Sequence, residues 1–206
     1  MHDPRIQLLD SRLFQSLIER AYQSPRLRTN HNFHLSLGDN PHRFLNVMIR
    51  GTYIAPHRHR NPPKSESFLV LNGELAFFTF DDSGQVTGTH VLGRNAVGID
   101  IQPGVWHTLA VLTPHAVCCE VKPGPYSAVD DKDFAPWAPR EGDAGVKEYL
   151  EGLLSGIPER NETVVDSAFS ILRVVVPAHA VVRTLKWKIA IEPSAIGFCP
   201  PERTQA

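Results

Sequence analysis

Apolar residues follow two different periods along the chain. Between residues 11 and 23 they recur at helical spacing, and Ser24-Pro25 then interrupts the pattern. We therefore predict a helix over 11–23 that is capped at its start by Ser11 or Asp10. The stripe through which it packs is formed by Leu13, Leu17, Ile18 and Ala21. From Arg43 onwards the apolar residues instead form short runs between turn residues, which is typical of strands.

The second pattern predicts a mainly β domain. Asn72-Gly73 is a strong signal for a tight hairpin, and residues 81–84 and Pro103-Gly104 mark further turns. Many short strands without helices between them favour a sandwich or barrel over an α/β sheet. The predicted strands are 44–49, 53–57, 67–71, 75–80, 97–101, 108–112 and 116–121.

The same patterns divide the chain into four parts. Residues 1–40 hold the N-terminal helix and a polar stretch, 26–41, that is either a loop or an arm crossing the barrel. Residues 41–126 form the β-barrel, and the proline-rich 127–155 form a clasp with a short helix from Asp143 to about Leu154. Residues 156–206 are predicted to be an appendage, with β-like runs at 170–176 and 180–191.

Composition narrows the possible partners. The formal net charge is −1, which gives no electrostatic reason to expect nucleic acid or an anionic membrane. The three cysteines include no CxxC pair, and the adjacent Cys118 and Cys119 point to opposite faces of a strand. We expect reduced thiols, a cytoplasmic protein without a signal peptide, and no membrane span, since the apolar stretch 171–182 is interrupted.

Four residues with metal-ligating side chains stand where loops meet predicted strands. His57 and His59 are two residues apart, so on a strand both imidazoles point to one face. Glu66 begins the next strand, and His107 begins a later one. Three imidazoles and a carboxylate that converge in a small barrel suit one divalent ion of zinc, iron, manganese or nickel. The sequence does not choose among these metals.

Two motifs carry a resemblance to a known family. Gly51 to His59, followed by Glu66 and Gly73, resembles the first cupin motif, and Pro103-Gly104-Val105-Trp106-His107 resembles the second. The HRH at 57–59, the LVLNGELA hairpin at 69–76 and the KPGPY at 122–126 are similar to WbuC-type cupin metalloproteins. An Asn32/His34 arm, Arg43-x-x-Asn46 and DKDFAPW at 131–137 extend the similarity, which covers about residues 5–154.

The resemblance implies a cupin fold, a double-stranded β-helix or jelly-roll barrel, with an N-terminal helix and a short C-terminal helix. It also implies metal ligation by His57, His59, Glu66 and His107, and a setting in bacterial surface-polysaccharide (O-antigen) synthesis. Two departures stand out. Six residues separate His59 from Glu66, and Val111 stands where many cupins have asparagine. Barrels of this type commonly pair through sheet edges, so a homodimer is expected.

The residues around the ligands suggest what binds. Tyr53 and Trp106 form either an aromatic wall for a sugar or packing at the barrel rim, and Arg58 and Lys64 are either an anion clamp or solvated loop charges. The favoured function is a metal-dependent isomerase, epimerase or lyase acting on a small, polar, sugar-like metabolite, with the metal as Lewis acid. An iron-dependent dioxygenase, a metal-free sugar epimerase and a non-catalytic ligand-binding or regulatory cupin remain alternatives.

Overall fold

The computed structural model describes residues 5–94, 96–127 and 132–157. All of them belong to one compact unit, residues 1–159. The β-like runs expected at 170–176 and 180–191 lie outside the described residues. No helix within the described ranges is long and apolar enough to cross a membrane.

The N-terminal helix matches its prediction. Helix α1 spans Ser11–Gln23, and the carboxylate of Asp10 caps it by accepting a hydrogen bond from the Leu13 N–H at 2.9 Å. Of the two capping candidates, Asp10 is therefore the cap, because its side chain satisfies a backbone donor that the helix leaves open. Leu17, Ile18 and Ala21 are the buried residues of the helix.

Within the described residues, ten strands form two antiparallel five-stranded sheets. One sheet has the order β1-β2-β9-β4-β7 and the other has the order β10-β3-β8-β5-β6. From β2 to β9 the chain passes repeatedly from one sheet to the other, as in a jelly-roll barrel. The strands are β1 Arg28–Asn32, β2 His42–Ile49, β3 His57–Arg58, β4 Glu66–Asn72, β5 Leu75–Phe80, β6 Val86–Leu92, β7 Gly98–Ile101, β8 Trp106–Val111, β9 His115–Lys122 and β10 Asp133–Phe134.

Apolar side chains fill the barrel between the two sheets. On β2, β5, β8 and β9 alternate residues enter this interior, as the period of two along a strand requires. Most of the residues between them are buried or half-buried as well, because both sheets are also covered from outside. The buried interior residues are Met48, Phe68, Leu75, Phe77, Leu92, Ile101, Leu109, Val111, Ala116 and Cys118.

Helices cover the outer faces of the two sheets. Helix α1 packs on β2 and β9 through a cluster that includes Leu17, Leu45 and Val117. On the other sheet, Phe78 and Phe80 pack against the segment that leads into helix α2, Val146–Ser155. The mainly β fold class with an N-terminal and a later helix is thus confirmed.

Three local predictions differ from the structure. Of the strand predicted over 53–57 only His57 is in β3, and the preceding residues are irregular. The polar arm contains strand β1, which pairs with β2 at the edge of its sheet. Asp143 does not cap α2, because its carboxylate accepts the Arg140 N–H at 2.7 Å and so closes a separate turn; the helix begins three residues later.

Candidate metal centre and adjoining chamber

Strand pairing brings the four ligand-type residues together at one end of the barrel. His57 on β3 lies opposite His107 on the neighbouring β8. Glu66 begins β4 in the facing sheet, and the turn between residues 60 and 63 takes up the long spacing after His59. The side chains of all four residues are buried, and their ligand atoms lie within 4.8 Å of one another.

Backbone carbonyls fix the tautomers of two of the histidines. Nδ1 of His57 lies 2.9 Å from the carbonyl oxygen of Ala55, and Nδ1 of His107 lies 2.9 Å from that of Val105. Since a carbonyl can only accept, each Nδ1 must carry the proton and donate it. A neutral imidazole held in this way turns an unprotonated Nε2 towards the cluster, which is the form that binds metals.

The carboxylate of Glu66 lies between two imidazoles. Its Oε1 is 3.1 Å from Nε2 of His59, and its Oε2 is 3.1 Å from Nε2 of His107. Nζ of Lys122 lies 3.4 Å from Oε1. In the metal-free protein, burial opposes ionisation of Glu66, but protons shared with Nε2 of His107 and His59 and the charge of Lys122 outweigh it and hold the pKa of this carboxyl well below its usual range.

These groups fit a divalent cation. Oε2 of Glu66 and Nε2 of His107 are buried 3.1 Å apart, and neither has a hydrogen-bond partner among the described residues. Two lone pairs directed at each other repel unless a cation or a proton lies between them. Burial, and then the charge of Lys132, lower the pKa of His57 well below its ordinary value, so this imidazole is neutral at physiological pH. Neutral nitrogen and carboxylate oxygen ligands suit zinc and other transition metals.

Two connected cavities adjoin the cluster. An inner cavity of about 30 Å³ is lined by His57, Glu66 and His107 together with apolar residues of the barrel. An outer chamber of about 290 Å³ lies beyond it. Asn46, Ile54, Glu120 and Lys132 line both spaces, so the chamber leads to the cluster.

The sequence alone favours a position for Glu120 outside the site, but in the structure this residue lines both cavities. It is buried, and its Oε2 accepts a hydrogen bond from Nδ2 of Asn46 at 2.5 Å while its Oε1 lies 3.5 Å from Nζ of Lys122. Burial and the neighbouring carboxylate of Glu66 raise the pKa of Glu120 to about 8. Its two-residue spacing from the interior Cys118 was the available signal, because both side chains then share the inner face of β9.

The four predicted substrate-binding residues are not brought together around the cluster. The hydroxyl of Tyr53 donates to the carbonyl of Pro139 at 2.7 Å, and Nζ of the buried Lys64 donates to the carbonyl of Pro125 at 2.6 Å. Trp106 lies on the face of β8 opposite His107, with its ring 4.0 Å from the guanidinium of Arg58. Neither cavity is lined by any of the four.

Arg58 and Trp106 instead join the barrel to its neighbouring turns. Nε of Arg58 donates to Asp133 at 2.7 Å, and Nε1 of Trp106 donates to Asp82 at 2.8 Å. These contacts explain the burial of two large polar side chains without a ligand. The substrate-binding role of the four residues stays a prediction, and the cavities indicate different residues.

The chain matches one protein family of unknown function, and its fold is distantly similar to several solved structures. Residues 9–92 match a family described as a domain of unknown function (DUF6016). No curated protein sequence matches the chain. Among solved structures, the capsular polysaccharide assembling protein CapF from Staphylococcus aureus is similar over 54% of this chain and 30% of its own, with 19% identity and a TM-score of 0.46. The chain thus spans about a third of CapF.

Two further similar structures are shorter proteins. L-ribose isomerase from Cellulomonas parahominis is 15% identical over 54% of this chain and 70% of its own, with a TM-score of 0.43. KdgF from a Halomonas species is 13% identical over 52% of this chain and 84% of its own, with a TM-score of 0.39. Such low identities and TM-scores carry no information about the chemistry of this protein.

Proposed function

We propose that the protein is a metal-dependent cupin that holds one divalent ion and acts on a small, polar, sugar-like metabolite. The observation that carries this proposal is the convergence of four buried ligand atoms on one point beside a cavity. The ligands are His57, His59, Glu66 and His107. Without a metal, the facing oxygen of Glu66 and nitrogen of His107 have to share a proton, whereas a bound cation would accept both lone pairs.

The bound metal would supply Lewis acidity, which polarises a carbonyl or hydroxyl of the ligand and suits isomerisation, epimerisation or elimination. The chain's own residues supply the rest of the site. Phe77 stacks on His107, with ring centroids 5.5 Å apart, and Phe68 packs on Phe77, so that aromatic rings cover part of the cluster on its barrel side. Among the described residues, the side chains that line the two cavities are the ones that can contact a ligand at the metal.

Glu120 is the group best placed to exchange a proton with a bound ligand. Its carboxyl lines both cavities, and Asn46 and Lys122 hold its two oxygens. General acid–base catalysis needs such a positioned group within reach of the reacting atoms. If the reaction is an isomerisation or epimerisation, Glu120→Gln keeps the metal and loses turnover, since glutamine keeps the shape but cannot transfer a proton.

Metal content of the untagged protein tests the proposal. We expect about one divalent ion per chain by elemental analysis, and its loss in a His57→Ala/His59→Ala double variant. His90→Ala, which removes an exposed imidazole on β6, is the matched control and should keep the metal. Glu66→Gln should weaken binding less than the double variant does, since three nitrogens remain. Wild-type metal content in the double variant would place the ion elsewhere and refute the proposal.

A further inference from the structure

The inner face of one sheet carries a polar strip from the candidate metal centre to the mouth of the barrel. Arg28 and Asn30 on β1 are two residues apart, as are Phe44 and Asn46 on β2, so each pair shares a strand face. On β9 the pair is Glu120 and Lys122. These three strands are neighbours in the sheet, and all six side chains line the outer chamber.

Positive charge exceeds negative charge in this chamber. Among the described residues that line it, four are cationic and two are carboxylic acids. The cations are Arg26, Arg28, Lys122 and Lys132, and the acids are Glu120 and Glu141. A divalent ion at the adjoining cluster would increase the excess further, so the chamber favours an anion.

Arg28 has donors left for such an anion. Its Nη1 donates to the carbonyl of Tyr53 at 2.9 Å and to that of Arg26, and its Nη2 donates to Glu141 at 2.7 Å. A guanidinium has five N–H groups, so two remain that donate to no described residue. The contacts with Tyr53 and Glu141 hold the group in place, which reduces the entropy that a ligand would lose in ordering it.

Lys132 lies at the passage between the two spaces. It lines both the outer chamber and the inner cavity, and its charge acts on His57 and on Glu120. Lys132 and Arg28 therefore both line the space that an anionic group would enter, and Lys132 also borders the inner cavity beside the metal ligands.

The volume limits the size of the ligand. Cavities that enclose drug-sized ligands measure about 300–1,000 Å³, and the outer chamber, at about 290 Å³, lies at the lower end of this range. This space suits a single sugar ring or an open-chain sugar acid. A nucleotide sugar, which adds a base, a ribose and a diphosphate to its sugar, would extend into solvent.

We propose that the outer chamber selects a monosaccharide-sized polyhydroxy compound with one anionic group, a carboxylate or a phosphate. Lys132 and Arg28 bind the anionic group, and the side-chain amides of Asn30 and Asn46 bind hydroxyls. This inference rests on the proposed metal-dependent function, because the other end of the ligand is taken to reach the metal.

Binding to the full-length, metal-loaded protein tests the inference. The probes are gluconate, glucose 6-phosphate, neutral glucose and UDP-glucose, measured by calorimetry after the metal content of each sample has been determined. We expect gluconate or glucose 6-phosphate to bind at least about tenfold more tightly than glucose, as charge-assisted hydrogen bonds predict. Tighter binding of gluconate would identify the preferred anionic group as a carboxylate, and tighter binding of glucose 6-phosphate would identify it as a phosphate. UDP-glucose should bind no more tightly than glucose 6-phosphate.

Variants assign the effect to the chamber. Lys132→Gln should keep the metal and lose about tenfold in affinity for the anionic probe, with glucose unaffected. Lys147→Gln is the matched control, since Lys147 is exposed on α2. Arg28→Gln provides a second test if Lys132→Gln proves poorly folded. The inference is overturned if the metal-loaded protein binds no anionic probe, or binds anionic and neutral probes equally well. If the protein holds no metal, the proposed function is overturned instead.

Discussion

Lys122 compensates two buried carboxyl groups beside the candidate metal centre, so its removal should destabilise the metal-free protein strongly. Its Nζ lies 3.4 Å from Oε1 of Glu66 and 3.5 Å from Oε1 of Glu120. Two unit charges 3.4 Å apart attract by about 5 kcal/mol at an effective dielectric constant of about 20. Glu120 adds less, because a carboxyl with a pKa of about 8 is mostly protonated at neutral pH.

Lys122→Met should therefore lower the free energy of unfolding of the metal-free protein by about 3–5 kcal/mol, the usual cost of leaving a buried charge uncompensated. The midpoint of thermal unfolding should fall by roughly 10 °C or more. With saturating metal the loss should be much smaller, since the cation then compensates Glu66. Melting curves with and without metal measure both values.

Lys147→Met is the control for the loss of a positive charge as such. Lys147 is exposed on α2 and lies 4.0 Å from Glu151, a geometry that contributes at most a few tenths of a kcal/mol. Equal destabilisation of the Lys122 variant with and without metal would refute the reasoning, because it would mean that Lys122 matters only for packing.

Two further predictions concern the frame of the barrel. Leu17→Ala should lower the free energy of unfolding by about 2–5 kcal/mol in urea titrations, because this side chain is buried between α1 and the sheet. The control, Leu35→Ala, changes a residue that is 99% exposed and should alter this free energy by less than about 0.5 kcal/mol. Glu141→Gln should cost under about 1 kcal/mol at pH 7, since the Glu141 side chain is 37% exposed. Hydrogen bonds from Arg26, and then from Arg28, lower the pKa of Glu141 to about 2. The stabilisation that this carboxylate gives the folded protein is therefore complete above the ordinary carboxyl pKa of about 4.3, and it is lost as the pH falls towards 2. The difference between wild type and Glu141→Gln should accordingly shrink between pH 5 and pH 2, and a constant difference would contradict the assignment.

The fold and the ligand cluster could be predicted because their signals are local. A spacing of two on a strand places His57 and His59 on one face, and turn residues mark the strand ends that bear Glu66 and His107. The six residues between His59 and Glu66 put the position of Glu66 in question. The structure answers this locally, since Arg60 and Pro63 form a bridge that returns the chain to β4 at Glu66.

The chamber could not be predicted because it depends on strand register across the sheet. Asn30 lies opposite Asn46 only because β1 pairs with β2, and β1 comes from a polar segment without a strand pattern. Register is only weakly specified by the sequence of a strand that lacks an alternating hydrophobic pattern. Trp106 is a different case: it is the neighbour of His107 on a strand, so alternation alone assigns it to the opposite face.

The most direct test of the metal centre is anomalous X-ray diffraction from crystals soaked in a divalent metal. The account predicts one strong anomalous peak within the barrel, with the ring nitrogens of His57, His59 and His107 and an oxygen of Glu66 each about 2.0–2.2 Å from it. Water or a ligand oxygen from the inner cavity would complete the coordination. A crystal in which these four side chains keep their contacts while the metal binds elsewhere, or does not bind at millimolar concentration, would contradict the account.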